Sequence, residues 1–506
     1  MMLFSPFPSG LALVAFASLL LSLMKKQFLC GLLSAGLLAA APALPPTPAA
    51  DVDALKTQAL QELEARYADY RQVALRIWGF AEVGYKETQS SALLQKTLRD
   101  NGFTVQAGVA EIPTAFVATY GSGKPVIGIL AEFDALPGLS QQASAEKKPV
   151  PGLDAGHGCG HNLFGTASVA AGIELKKLIK DGKFKGTIKV YGTPAEEGGS
   201  GKVYLVRAGL FSGVDAVVHW HPSNQNRAMM SSYIANSSAK FRFHGIASHA
   251  AASPQRGRSA LDGVEAMNHM VNMMREHVPQ ETRIHYIITN GGKAPNVVPE
   301  FAEVYYYVRH PNRDEVKDAF ARVVKAAEGA ALGTGTTMDY EIIGGTHELL
   351  LNETLARALQ VNLERVGGVA YTPQEIAIGK QIQASFGFPA PAVETAATVQ
   401  SFALSDGGGS SDVGDVSYVV PTVGLTAATW IPGTPAHSWQ AVACSGQEIG
   451  TKGMMVAAKT MALTAIDLFT NPALLDKATA EFKQDVGSYV YKPLLGDRKP
   501  ALNYRD

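Results

Sequence analysis

A chain of 506 residues is too long for one simple hydrophobic core, so at least two domains are expected. Its 44 basic and 45 acidic residues leave a formal net charge of −1. No overall field then draws the protein to nucleic acid or to an anionic membrane surface, and the composition is that of an ordinary globular enzyme.

The first segment differs in kind from the rest. Residues 2–23 are almost uncharged and apolar; Met24-Lys25-Lys26 then opens a second apolar run, 28–43, that ends in Ala41-Pro42-Ala43 before a Pro-rich spacer. Read from Met24, this is a basic stretch, an apolar stretch and a small-residue cleavage pattern, the layout of an export signal, with Met24 as the start. The competing reading is a membrane anchor, because the first apolar run, at about twenty residues, is long enough to span a bilayer. Gln27-Phe28-Leu29 before Cys30 is a poor lipoprotein-type site.

Beyond this leader (1–50), helical spacing runs over 51–78 and 92–101, the latter ending at Gly102. Strand-like and helical runs then alternate: strands 115–120 and 126–132, helix 163–180, strand 187–191, helix 202–208 and strand 216–219. That alternation predicts an α/β layer built on a mixed, largely parallel sheet. From 237 to 345 the order changes to strand 240–244, helix 260–277, strands 283–289 and 302–308, helix 313–332 and strand 337–343. This β-α-β-β-α-β series predicts a ferredoxin-like α+β module. It is an insertion, since the α/β pattern resumes at Glu353 and continues to the end. The expected domains are 51–236 and 346–506 as two parts of one catalytic domain, with 237–345 inserted between them.

Four polar islands sit where strands end. Asp154-Ala-Gly-His-Gly-Cys-Gly-His-Asn162 places Cys159 and His161 two apart among glycines, so a thiolate and an imidazole can turn toward one point without Cβ crowding. Thr193-Pro-Ala-Glu-Glu-Gly-Gly199 offers adjacent carboxylates, Glu196 and Glu197, which point in different directions; one can bind a metal while the other handles a proton. His219-Trp-His221 follows a strand, and Pro435-Ala-His437-Ser438 lies in a late loop. Taken singly, a buried Cys is as often a small hydrophobe, and a Glu-Glu pair is mostly solvated surface. Their joint occurrence at strand ends points to a metal site. Of the three cysteines, Cys30 falls in the leader; one bridge between Cys159 and Cys444 is possible in an oxidising compartment, but Cys159 reads better as a metal thiolate and Cys444 as a core residue.

The ordered set Gly128-Ile-Leu-Ala-Glu-Phe-Asp-Ala-Leu-Pro137, Gly156–Asn162, Thr193–Gly199, Gly245-Ile-Ala-Ser-His-Ala250, Ala294-Pro-Asn-Val-Val-Pro299 and Gly433-Thr-Pro-Ala-His-Ser438 resembles the M20 family of dinuclear metallohydrolases. The resemblance is to its branch of amino-acid amidohydrolases, aminobenzoyl-glutamate hydrolases and dipeptidases, and it covers nearly the whole chain beyond the leader. It implies a zinc-peptidase-like catalytic domain with a lid and dimerisation domain at 237–345. It further implies that Cys159 bridges two divalent ions, with His161 and His221 on one and Glu197 and His437 on the other. The family pattern places the ligand at His221 and leaves His219 packed on the strand. Asp134 would orient a ligand imidazole. Glu196 would be the general base toward the attacking water and then the acid toward the leaving amine. His249 would hold the oxyanion from across a dimer interface. Asn296 and Arg309 would take the substrate carbonyl and carboxylate, against the plainer readings of a turn residue beside Pro295 and an exposed strand-end arginine. Many relatives have Asp at the positions of Glu132 and Asn162; neither change removes an implied ligand.

The implied cofactors are two ions per subunit, zinc or manganese, which the thiolate, imidazole and carboxylate set does not separate. The implied reaction is hydrolysis of the amide joining an acyl or aroyl group to an amino acid, of the aminobenzoyl-glutamate type. The alternatives are a dipeptidase or aminoacylase of the same family, or a non-catalytic partner subunit. A homodimer is expected, with pairing to a related subunit as the other possibility.

Overall fold

The computed structural model describes residues 49–404 and 407–505. The predicted export signal at 24–43 lies outside the described residues, as does the apolar run before it.

Helices α1 (Ala49–Ala65) and α2 (Tyr67–Phe80) replace the single helix expected over 51–78. The chain breaks at Arg66, whose φ of −103° and ψ of 13° leave the helical region. Helix α3 (Thr88–Asp100) leads into β1 (Thr104–Ala107), β2 (Phe116–Ser122) and β3 (Val126–Ala131); α4 (His161–Lys180), β4 (Gly186–Gly192), α5 (Gly201–Arg207) and β5 (Ala216–Ser223) follow. After the insertion come α8 (Glu353–Val366), β10 (Thr422–Ala428), α9 (Glu448–Thr470) and α10 (Pro472–Val486). The insertion itself contributes β6 (Ala235–His244), α6 (Ala260–Met274), β7 (Arg283–Asn290), β8 (Phe301–His310), α7 (Arg313–Thr334) and β9 (Thr337–Thr346).

The main sheet runs β1-β2-β4-β3-β5-β10, closed at the far edge by the two-residue strand Arg227–Ala228. The four central strands are parallel, and the flanking ones antiparallel. Central parallel strands are covered on both faces, which is why β3 reads Val-Ile-Gly-Ile-Leu-Ala with no alternation. Helices α4 and α9 pack on each other and on this sheet. Helix α9 is long and apolar enough to cross a membrane, but its apolar residues are spent inside this core. Gly165 of α4 lies so close to the end of β3 that a Cβ there would stand 2.6 Å from the Glu132 carbonyl oxygen. That glycine lets the helix carrying His161 approach the strand carrying Glu132 and Asp134.

The inserted module has its own hydrophobic core, built on Phe241, Phe243, Val264, Met267, Val304, Tyr306, Val308 and Val323. Its sheet order, β7-β8-β6-β9, is antiparallel throughout, the ferredoxin-like arrangement expected from the β-α-β-β-α-β series. Strict alternation along β8, with every second residue buried, places Tyr305, Tyr307 and Arg309 on one face and Val304, Tyr306 and Val308 in the core.

Candidate metal centre

Parallel α/β sheets gather ligands beyond the carboxyl ends of their strands. Here β3 runs into Glu132 and Asp134, β4 into Glu196 and Glu197, β5 carries His221 near its end, and the loop after β10 carries His437. Strand β5 extends four residues past the predicted end at His219, and this extension is what delivers His221 to the edge. Cys159 and His161 arrive from the turn that opens α4. Gly160 makes that turn with φ of 75°, where a Cβ would also meet the Pro222 ring at 2.8 Å.

Three three-residue clusters form among the described residues: two share Cys159, and a third joins Glu132, His161 and Glu196. The ligand atoms of Cys159, His161 and His221 lie within 4.8 Å of one another, and so do those of Cys159, Glu197 and His437. Cys159 Sγ is 3.4 Å from His221 Nε2, and His437 Nε2 is 3.1 Å from a Glu197 carboxylate oxygen. His161 is fully buried; its Nδ1 is 2.8 Å from Asp134, whose other oxygen accepts the Glu197 backbone N–H at 2.9 Å. Asp134 therefore fixes the ring of His161 and the backbone of Glu197 together, leaving Nε2 to face the cluster. His219 packs against Gly424 instead, outside all three clusters, its pKa pushed down to about 3 by burial.

A cation fits this donor set on the structure's own terms. His161 Nε2 and Glu197 Oε1 are buried and make no well-directed hydrogen bond; their nearest polar neighbours are other members of the donor set, Glu132 at 3.0 Å and His437 at 3.1 Å, an arrangement a cation between them would satisfy. Burial pushes the Cys159 thiol well above its ordinary pKa, with Glu197 and Glu196 adding to it, so a thiolate here requires a compensating positive charge. Burial likewise holds His221 down at about 4, the neutral form that binds metal. Glu196 stands beside the pair, its carboxyl held well above the usual range by burial and by the charges of Glu132 and Glu197.

These groups open on a cavity of 670 Å³ whose walls come from both modules. The catalytic layer supplies Cys159, Glu196, Glu197, His221 and His437, and the inserted sheet supplies Asn236, Ser238, Tyr307 and Arg309. The structure thus brings Arg309 to the site. It does not bring His249 or Asn296 there: both are exposed on the inserted module, joined through the hydrogen bond from Ala250 N to Asn296 O at 3.0 Å.

Lys202 escaped the reading of the sequence. It is fully buried on α5, its Nζ 2.7 Å from Glu132 and 2.7 Å from Asp412, while the other Glu132 oxygen lies 3.0 Å from His161 Nε2. Glu132 spans from this lysine to the His161 ring. Asn162 faces away, donating to the carbonyls of Ala74 at 3.2 Å and Ser445 at 3.1 Å. A lysine three residues beyond Glu-Glu-Gly-Gly was the available signal for Lys202; Asp412, about two hundred residues later, had none.

Residues 236–334 match the family model described as a peptidase dimerisation domain. Over 456 residues the chain is 41% identical to a p-aminobenzoyl-glutamate hydrolase subunit of Escherichia coli (strain K12), with 85% of this chain and 95% of that protein covered. The chain belongs to the M20 family. Another M20 relative, Xaa-Arg dipeptidase of Mus musculus, is 30% identical over 459 residues, covering 87% of this chain and 95% of that one. The fold agrees: a dinuclear metal binding peptidase of the M20 family from Bacillus subtilis superposes with a TM-score of 0.55 at 16% identity, over 80% of this chain and 99% of that one. Membership makes the protein a metal-dependent hydrolase of the amidohydrolase and peptidase kind.

Proposed function

We propose that the protein hydrolyses the amide bond between an acyl or aroyl group and an amino acid, of the aminobenzoyl-glutamate type, using two divalent ions. The observation that carries this reading is the pair of three-residue clusters sharing Cys159. Cys159, His161 and His221 would hold one ion, and Cys159, Glu197 and His437 the other. Bound there, divalent ions supply Lewis acidity toward the carbonyl and make water acidic enough to attack at neutral pH.

The chain's own residues then divide the remaining work. Glu196, beside both clusters and not needed as a ligand, takes the proton of the attacking water and returns it to the leaving nitrogen. Asp134 orients His161 and the Glu197 backbone at once. Arg309, from the inserted sheet, faces the cavity to meet the substrate's carboxylate. His249 and Asn296 are assigned to the site of a second copy of the chain, for the oxyanion and the substrate carbonyl respectively, because their own cavity excludes them. A homodimer satisfies this; a related subunit with the same module would also do so.

Metal analysis of purified protein is expected to find two ions per chain, zinc or manganese. Release of 4-aminobenzoate from aminobenzoyl-glutamate should stop on chelation and return with either metal. Metal-replete protein that cleaves no member of a panel of N-acyl amino acids, N-aroyl amino acids and dipeptides would reject the reading.

We also propose export, from the layout of residues 24–43, over anchoring by the earlier apolar run. N-terminal sequencing of protein from its own host is expected to start near Leu44. An intact Met1 or Met24 in the soluble cytoplasmic fraction would overturn this.

A further inference from the structure

The segment after α10 returns to the site. It is pinned along its length: Arg207 Nη1 donates to the carbonyls of Gly496 at 2.9 Å and Arg498 at 2.8 Å, and Arg498 Nη1 donates to the Ile343 carbonyl at 2.7 Å. At its far end the Tyr504 ring meets Tyr85 edge-on at 5.5 Å, and the Tyr504 hydroxyl donates to the Glu197 carbonyl at 3.0 Å. Arg505 follows, its Nη2 donating to the same carbonyl at 2.5 Å, and it lines the catalytic cavity.

Arg505 and Arg309 share an unusual condition within that one cavity. Each guanidinium is stacked on a tyrosine, Arg505 over Tyr504 at 4.7 Å and Arg309 over Tyr307 at 5.0 Å. Each has a buried Nε–H with no hydrogen-bond partner, and the bonds each makes go to a hydroxyl or a backbone carbonyl. Arg309 makes one bond, from Nη1 to the Ser410 hydroxyl at 3.2 Å, and Arg505 the one to Glu197. Arg505 Nη2 already donates to the Glu197 carbonyl, so what each guanidinium fork offers a carboxylate is its remaining N–H donors, and the tyrosine beneath it holds the fork's plane before the ligand arrives. Two such forks in one cavity match two carboxylates.

We propose that Arg505 is a specificity-determining residue that binds one carboxylate of the substrate while Arg309 binds another, so that the amino-acid half is a dicarboxylic one. This rests on the amidohydrolase reading above and goes beyond it by naming the group that selects the substrate. Arg505 reaches the site from a part of the chain remote from every metal and catalytic motif.

The test compares N-(4-aminobenzoyl)-glutamate with N-(4-aminobenzoyl)-glutamine, which differ only in the second carboxylate. Wild type should prefer the glutamate compound, and Arg505→Gln should shrink that preference on the order of 10²-fold, the loss carried by KM rather than by kcat. Arg505→Lys, which keeps the charge and loses the fork, should fall between them. Metal content should be the same in all three proteins. Calorimetry with free glutamate as the probe should show binding to metal-loaded wild type that Arg505→Gln abolishes.

An unaltered glutamate-to-glutamine ratio in both variants would overturn the proposal, as would equal binding of free glutamate by wild type and Arg505→Gln. Loss of metal from Arg505→Gln would assign the residue to holding the Glu197 loop instead. Binding of free glutamate that depends on Arg505, in metal-replete protein that cleaves neither compound nor any member of the wider panel, would leave Arg505 as the carboxylate-binding residue and reject the amidohydrolase reading.

Discussion

Glu196→Gln is expected to retain its full metal content and lose about 10²- to 10⁴-fold in turnover, the usual contribution of a positioned general acid-base group. The amide keeps the shape and the hydrogen-bonding reach of the carboxyl but cannot accept a proton. Glu196 is the right neighbour for this loss because it lines the cavity beside both clusters yet belongs to neither of the two that share Cys159. Burial and the charges of Glu132 and Glu197 raise its pKa, so its carboxylate is a stronger base than an ordinary glutamate's; it must start ionised to take the water's proton, a state that cations bound beside it would favour. Glu197→Gln should behave oppositely. Its carboxylate faces His437 at 3.1 Å and its backbone is pinned by Asp134, so the substitution removes a ligand and should empty one position. Metal analysis of the two variants side by side decides the assignment: equal occupancy would mean that the roles of the two glutamates are exchanged, and wild-type turnover in Glu196→Gln would remove it from the chemistry.

Much of this centre was legible in the sequence because each part of it lies within a few residues of a strand end. Glycine-flanked Cys159 and His161, the Glu196-Glu197 pair, His221 and His437 all announce themselves by residue type in short polar runs, and the α/β alternation says that such runs share an edge. What stayed hidden was hidden for physical reasons. The break at Arg66 interrupts apolar spacing that continues on both sides of it, so periodicity alone joins α1 to α2. Lys202 and Asp412 form a buried pair across about two hundred residues, and a lysine on a short helix that also carries Arg207 reads as a solvated one. Arg505 belongs to a segment with no regular spacing, held in place by backbone carbonyls that carry no sequence signature.

Mixing two inactive chains is expected to restore activity if, as proposed, His249 serves the cavity of a second chain. His249 is exposed on the inserted module and absent from the wall of its own cavity, although the same module contributes Tyr307 and Arg309 to that wall. Close to it in sequence or in the sheet lie Ile246, Ile287, Ile288 and Val297, large apolar side chains left exposed, a surface that fits being covered by another chain. The matched family model is described as a dimerisation domain and covers residues 236–334, all of this module but β9. If two modules pair about a two-fold axis, whatever one presents to its partner it also receives, so each cavity would gain the other chain's His249. Removing one oxyanion donor should raise the barrier by about 3 kcal/mol, roughly a hundredfold in rate, with metal content unchanged. His249→Ala and Glu196→Gln should therefore each be nearly inactive alone. In a mixed dimer the two intact groups meet in one cavity, with Glu196 from the His249→Ala chain and His249 from the Glu196→Gln chain, while the other cavity lacks both. At equal mixing, half the dimers are mixed and each holds one complete site of two, so about a quarter of wild-type activity should return. A lid serving its own chain gives no complete site in any combination. Failure to recover activity, with subunit exchange shown independently by differently tagged chains, would place His249 over its own cavity through a movement of the inserted module.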